Sequence, residues 1–371
     1  MHKLLKGLMA LALLNASVAM ADDNIIKIGI AGPFSGPYAS FGDQFWLGAE
    51  QAVGDINQKG GINGKKIELI KADDACKPKQ ALAVAKRLIE DEKLTAIIGH
   101  FCSSSTMPAS KVYGDAGALM ITPGSTNPSI TEQGLKTIFR MCGRDDQQSV
   151  VAAKFIASNL KAKKVAIIHD NDTYGKGLAT DLKDSLESRK IKIGLFEGIT
   201  RGTKDFSAIV AKIKQLDPDA IYFGGLHSEA GAFVKQLRDS DVKTPIIAGD
   251  GIVASDFVTS AGGHKMVKGI YMTFGIDPRT LPTAKDTVKA FKAENLDPEG
   301  YTLYSYATVQ AIANAMQATK STDGKVLADW LHKNTVKTVL GDKAWDDKGD
   351  LKVTDYIMYE WNGSGKYSPV N

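Results

Sequence analysis

Two rhythms of apolar and polar positions alternate along this chain. Short runs of Ile, Val, Leu and Ala bounded by Gly, Pro, Asn or Asp predict strands, and longer stretches with apolar residues three and four apart predict helices. Runs at 25–31 and 66–71 predict strands, and 42–58 and 78–90 predict the helices that follow them. In the second of these, Ala81, Ala85, Leu88 and Ile89 share one face. A strand at 95–98 leads through Gly99 into four hydroxyl residues, Ser103, Ser104, Ser105 and Thr106, with a helix expected from Pro108. A further strand is expected at 118–122.

The pattern then restarts. Helices at 145–160, 175–189, 206–215 and 228–240 alternate with strands at 164–169, 191–196, 220–224 and 245–248. A third section predicts a strand at 267–273, helices at 284–292, 301–317 and 326–333, and strand-like stretches at 344–345 and 356–361. Strand alternating with helix implies doubly wound parallel sheets. Two such arrays imply two lobes, and clefts between lobes are favoured ligand sites. The hydroxyl run is the first candidate for such a site. A helix start carries orphan N–H groups and positive partial charge, which suit a carboxylate or phosphate. Its bland alternative is an ordinary N-cap.

The chain's start changes the picture of where it works. Lys3 and Lys6, the apolar stretch 8–14 and Ala19-Met20-Ala21 have the form of a secretory leader, with cleavage expected before Asp22. The apolar stretch is shorter than the ~20 residues a spanning helix needs. Export suggests a periplasm, with secretion to the medium as the alternative, and permits a disulfide. Cys76, Cys102 and Cys142 allow three pairings, of which Cys76–Cys102 is favoured because each follows a predicted strand at the same sheet edge. The formal charge of +4, or +2 once Lys3 and Lys6 are removed, indicates neither nucleic acid nor a membrane surface as partner.

Enzyme signatures are weak. Gly32-Pro-Phe-Ser-Gly is not a nucleophile elbow. Gly29 and Gly32 do not make a dinucleotide loop. His100 near Cys102 suggests a thiol site, but Cys102 is expected in a disulfide. The His169-Asp170-Asn171-Asp172 turn and scattered histidines do not make a metal site. No catalysis, cofactor or metal is expected.

Taken in order, Ile28-Gly-Ile-Ala-Gly-Pro-Phe-Ser-Gly, Asp55-Ile-Asn-Gln-Lys-Gly-Gly, Asp73-Asp-Ala-Cys, Ile98-Gly-His-Phe-Cys-Ser, Ile121-Thr-Pro, Tyr174-Gly and Trp345-Asp-Asp-Lys-Gly-Asp-Leu form a specific set. With them the chain resembles the leucine/isoleucine/valine-binding proteins of bacterial ABC uptake systems. That resemblance covers essentially all residues beyond the leader. It implies the α/β, type I periplasmic-binding-protein fold, with two doubly wound lobes joined by a three-strand hinge. The expected division is 22–143 with 276–352, and 144–275 with 353–371. It also implies a free amino acid as ligand, an inner-membrane ABC permease as partner, a monomer, and the Cys76–Cys102 disulfide.

The resemblance further implies that Ser103 takes the ligand carboxylate. The loop of Gly124, Ser125 and Thr126 would hold carboxylate and ammonium. Tyr174 would cover the ligand, and Asp250 would pair with the ammonium. Phe41, Phe101, Cys102, Leu226 and Tyr301 would surround the side chain. The pattern departs from the family there. Phe41 replaces Tyr or Trp, Phe101 replaces Leu, Leu226 replaces Tyr, Tyr301 stands near a family Phe, and Asp250 replaces Glu. The extra ring of Phe101 leads to an expected preference for small or modest aliphatic side chains over leucine and isoleucine. The shorter Asp250 leaves a γ-amino acid or other small zwitterion as an alternative ligand, and sensing as an alternative to transport.

Overall fold

The structure, a computed structural model, describes residues 24–370; the expected leader lies outside them. The chain begins with β1 (Ile25–Gly32), α1 (Ala39–Gln58), β2 (Lys66–Asp73), α2 (Pro78–Glu90), β3 (Ala96–Ile98), α3 (Ser103–Asp115), β4 (Leu119–Thr122) and β5 (Ile138–Arg140). These strands form a sheet in the order β2-β1-β3-β4-β5, parallel throughout. Every residue of β3, β4 and β5 is buried, as expected for parallel strands covered on both faces.

A second array follows: α4 (Asp145–Ser158), β6 (Lys164–Asp170), α5 (Thr173–Ser188), β7 (Lys192–Ile199), α6 (Ser207–Leu216), β8 (Ala220–Gly224), α7 (His227–Asp239), β9 (Ile246–Ala248), α8 (Asp256–Ser260), α9 (His264–Val267) and β10 (Ile270–Gly275). The chain then returns to the first sheet. There α10 (Lys285–Ala293), α11 (Thr302–Thr319) and α12 (Gly324–Leu331) lead to a hairpin of β11 (Val336–Thr338) and β12 (Gly341–Lys343). α11 packs on α1 and β3, and α12 on β4. Gly48 permits the first contact, because a Cβ there would lie 1.9 Å from the Thr302 carbonyl oxygen. The chain crosses once more and ends in β13 (Tyr356–Trp361) and β14 (Tyr367–Pro369). The second sheet runs β14-β13-β10-β9-β8-β6-β7, with β13 and β14 antiparallel.

Three expectations need correction. Helix α3 starts at Ser103 and runs through Pro108, rather than starting at it. The proline removes one ladder bond, but the packing of α3 on α2 outweighs that local signal. Thus the hydroxyl run is the helix's first turn, and Cys102 is the N-cap. Val267 belongs to α9, and the strand expected at 267–273 is instead Ile270–Gly275. The stretch at 344–345 contributes only an isolated bridge between Trp345 and Leu351.

Candidate ligand site between the two sheets

Both parallel arrays aim their strand carboxyl ends at one cleft. Beyond β3 come Phe101, Cys102 and Ser103, and beyond β4 comes Gly124. From the second sheet, β6 leads to Tyr174, β7 to Arg201, β8 to Leu226 and β9 to Asp250. Ligands of open α/β sheets bind at such ends. Together with Gly251 and Tyr301 these residues line a narrow cavity. A larger hollow of about 790 Å³ lies beyond Asp250 and Tyr301, bounded by the chain passages at 141–143, 275–276 and 351–356.

One wall is a helix start. Ser103 is the first residue of α3, and the opening N–H groups of a helix have no intrahelical acceptor. The disulfide Cys76–Cys102, with Cα atoms 5.4 Å apart, anchors this turn to the end of β2. Asn127 N donates weakly to Ser103 Oγ, at 3.4 Å. The adjoining loop is held from beneath by a buried arginine. Arg140 donates to the carbonyls of Ser125 (2.9 Å) and Asn127 (3.1 Å), and its Nε to Asp350 Oδ1 (2.6 Å). Arg140 was not singled out in the sequence, where it is one arginine in a three-residue strand.

The opposite wall is a buried carboxylate. Tyr174 Oη donates to Asp250 Oδ1 at 2.8 Å and accepts from Gly251 N at 2.9 Å. Gln148 Nε2 donates to Asp250 Oδ1 (3.2 Å) and to Asp145 Oδ1 (2.7 Å), and Tyr356 Oη donates to Asp250 Oδ2 (3.2 Å). Burial pushes the Asp250 carboxyl above its ordinary range, and these hydrogen bonds only partly oppose the shift. Asp145 is raised further, by burial first and then by the Asp250 charge. Its Oδ2 and Thr126 Oγ1 are both buried without a hydrogen-bond partner among the described residues. The cleft thus sets N–H donors opposite a buried acid, an arrangement matched to a zwitterion.

Of the candidate residues, Phe101, Cys102, Ser103, Gly124, Tyr174, Leu226, Asp250 and Tyr301 share the cavity wall. Phe41 does not; its ring stacks behind Phe101, centroids 4.0 Å apart. Ser125 does not line it either, because its hydroxyl is spent on the carbonyls of His100 (2.9 Å) and Phe101 (2.7 Å). Thr126 is buried just behind the wall. Gly124 stays small because a Cβ would lie 2.9 Å from Phe101 Cδ2. Arg201 and Gly251 line the cavity although sequence reasoning did not single them out. Arg201 Nε pairs with Asp170 Oδ2 (2.9 Å) and its Nη1 with Asp172 Oδ2 (3.1 Å). Burial pushes Asp170 up to about 6, with Arg201 opposing. The His169 turn therefore holds an arginine, and no cluster suited to a metal occurs among the described residues.

Polar contacts cross the cleft. Tyr38 Oη donates to Glu229 Oε1 at 2.8 Å, and Asn127 Nδ2 to the Thr173 carbonyl at 3.0 Å. His100 is buried between Asp74 Oδ2 (2.5 Å) and Tyr113 Oη (3.0 Å), away from any nucleophile, since Cys102 is disulfide-bonded.

A family profile described as periplasmic binding protein matches residues 25–366. An amino acid binding protein of Pseudomonas aeruginosa is 54% identical over 98% of this chain and 97% of its own length. The Leu/Ile/Val-binding protein of Escherichia coli is 41% identical over 98% of this chain and 96% of its own. Among solved structures, a branched-chain amino acid transporter substrate-binding protein of Streptococcus pneumoniae, in complex with isoleucine, superposes with a TM-score of 0.86. It is 30% identical and covers 93% of this chain and 98% of its own.

Proposed function

This chain belongs to the periplasmic binding protein family, among the leucine/isoleucine/valine-binding proteins, and on that premise we propose that it captures a free amino acid in the periplasm and delivers it to an inner-membrane ABC permease. It is a binding protein and not an enzyme. The observation that carries the proposal is the pairing across one cavity of the Ser103 helix start with the buried Asp250 carboxylate. Ser103 and Thr126 hold the carboxylate, and the Gly124 carbonyl and Asp250 take the ammonium under the ring of Tyr174. The protein works as an exported monomer. Its lobes are 22–143 with 276–352, and 144–275 with 353–371, hinged at the chain passages between them.

Phe101 favours small or modest aliphatic side chains over leucine and isoleucine. Its stacking on Phe41 supports this, because the pair leaves the ring little room to move aside. Calorimetry with alanine, valine, leucine, isoleucine and γ-aminobutyrate tests both levels. Binding of an α-amino acid, abolished by Asp250→Ala, is the expected result. Leucine binding tenfold tighter than alanine or valine would refute the size preference, and tightest binding of γ-aminobutyrate would replace the α-amino acid.

A further inference from the structure

Arg201 has one part that the fold leaves unused. Nε and Nη1 are taken by Asp170 and Asp172, and Nη1 also reaches Cys102 Sγ at 3.7 Å. Nη2 is buried and has no acceptor among the described residues. A buried donor left unpaired is costly, so the missing acceptor calls for an explanation. Arg201 lines the cavity together with Phe101, Cys102 and Leu226, the residues assigned above to the ligand's side chain.

We propose that Arg201 reads the ligand's side chain, donating from Nη2 to an uncharged oxygen on a short side chain. This rests on the cleft taking a free amino acid. The oxygen is uncharged because Asp170 and Asp172 already face the guanidinium, and a side-chain carboxylate would add a third anion. The side chain is short because Phe101, Leu226 and Tyr301 crowd the cavity wall beside Arg201. The ligand class is therefore α-amino acids bearing a hydroxyl or carboxamide oxygen on a short side chain. A site built to bond such an oxygen rejects the isostere lacking it, since the donor is then stranded.

The test compares isosteres by calorimetry: threonine with valine, and asparagine with both leucine and aspartate. In the wild type the oxygen-bearing member of one pair is expected to bind about tenfold tighter than its aliphatic isostere, the scale of one stranded donor. Aspartate should bind worse than asparagine. Arg201→Met should bring the pair close to equal affinity. Its melting curve reports whether it folds. An aliphatic member that binds as tightly as its isostere in both wild-type pairs overturns the proposal, whether or not the variant folds. So does an Arg201→Met variant that weakens both members equally, because that result assigns Arg201 to lobe closure alone. If valine or alanine binds without any oxygen preference, amino acid capture survives and the role of Arg201 falls. If no amino acid binds, both fall.

Discussion

At the scale of single residues, the site is a place where the fold accepts a cost. A carboxyl whose pKa is raised on folding favours its protonated form in the native state. Asp250 and Asp145 therefore cost stability above the unfolded value near ~4, and that cost shrinks as pH falls toward it. Asp145→Asn should raise the melting temperature at neutral pH, read by thermal unfolding; a lower melting point would mean that Asp145 is held by contacts that Asn breaks. A bound ammonium reverses the logic for Asp250, because it favours the charged carboxylate. Binding should then release a proton wherever the free site is protonated. Affinity should climb as pH rises through the raised value, then level off. Calorimetry in buffers of different protonation enthalpy counts that proton, and affinity that is flat from about pH 4 to 8 would remove Asp250 from the ammonium. Ser103→Ala should weaken binding by about ten- to a hundredfold, the scale of a hydrogen bond to a charged group. Its melting temperature without ligand should stay near wild type.

Elements decide which of these residues meet. The disulfide joins the end of β2 to the cap of α3 across a sequence separation of 26, which in the chain-entropy account stabilises the fold by about 3–4 kcal/mol. The same bond fixes the turn that presents Ser103. Reduction, or Cys76→Ala with Cys102→Ala, should lower the melting temperature and also weaken ligand binding. Lower stability with unchanged affinity would show that α3 holds its start without the bridge. The helix at 78–90 was legible because Pro78 sits at its first position and its apolar face repeats. The three-residue strands β5, β11 and β12 lack the unbroken apolar run that marks the equally short β3 and β9. Motifs carried by resemblance reached most of the cavity wall, since its residues lie in turns right after recognisable strands. Arg201 was not legible in that way. Its partner Asp170 lies 31 positions earlier, and they meet because β6 and β7 pair in parallel with Asp170 opposite Ile199.

At the scale of the whole molecule, capture depends on how strongly the lobes prefer to be shut. Much of the cleft's rim is polar. Tyr38 meets Glu229, Asn127 meets the Thr173 carbonyl, and the Arg201 guanidinium carbon lies 5.4 Å from the Tyr38 ring. These contacts exist only when the sheets face each other this closely, so they favour closure. The proposed hinge passages border the larger hollow. Tyr38→Phe removes the hydroxyl but leaves Glu229 Oε1 its bond from Gly202 N at 2.8 Å, so little is stranded. Closure should lose about 1 kcal/mol, the net worth of one hydrogen bond. All ligands should weaken together by about fivefold, through faster release, because every ligand draws on the same closed state. Small-angle scattering of the ligand-free variant should show a more open average shape than the wild type. A change in the order of ligand preference, with no change in shape, would instead put Tyr38 among the residues that read the ligand.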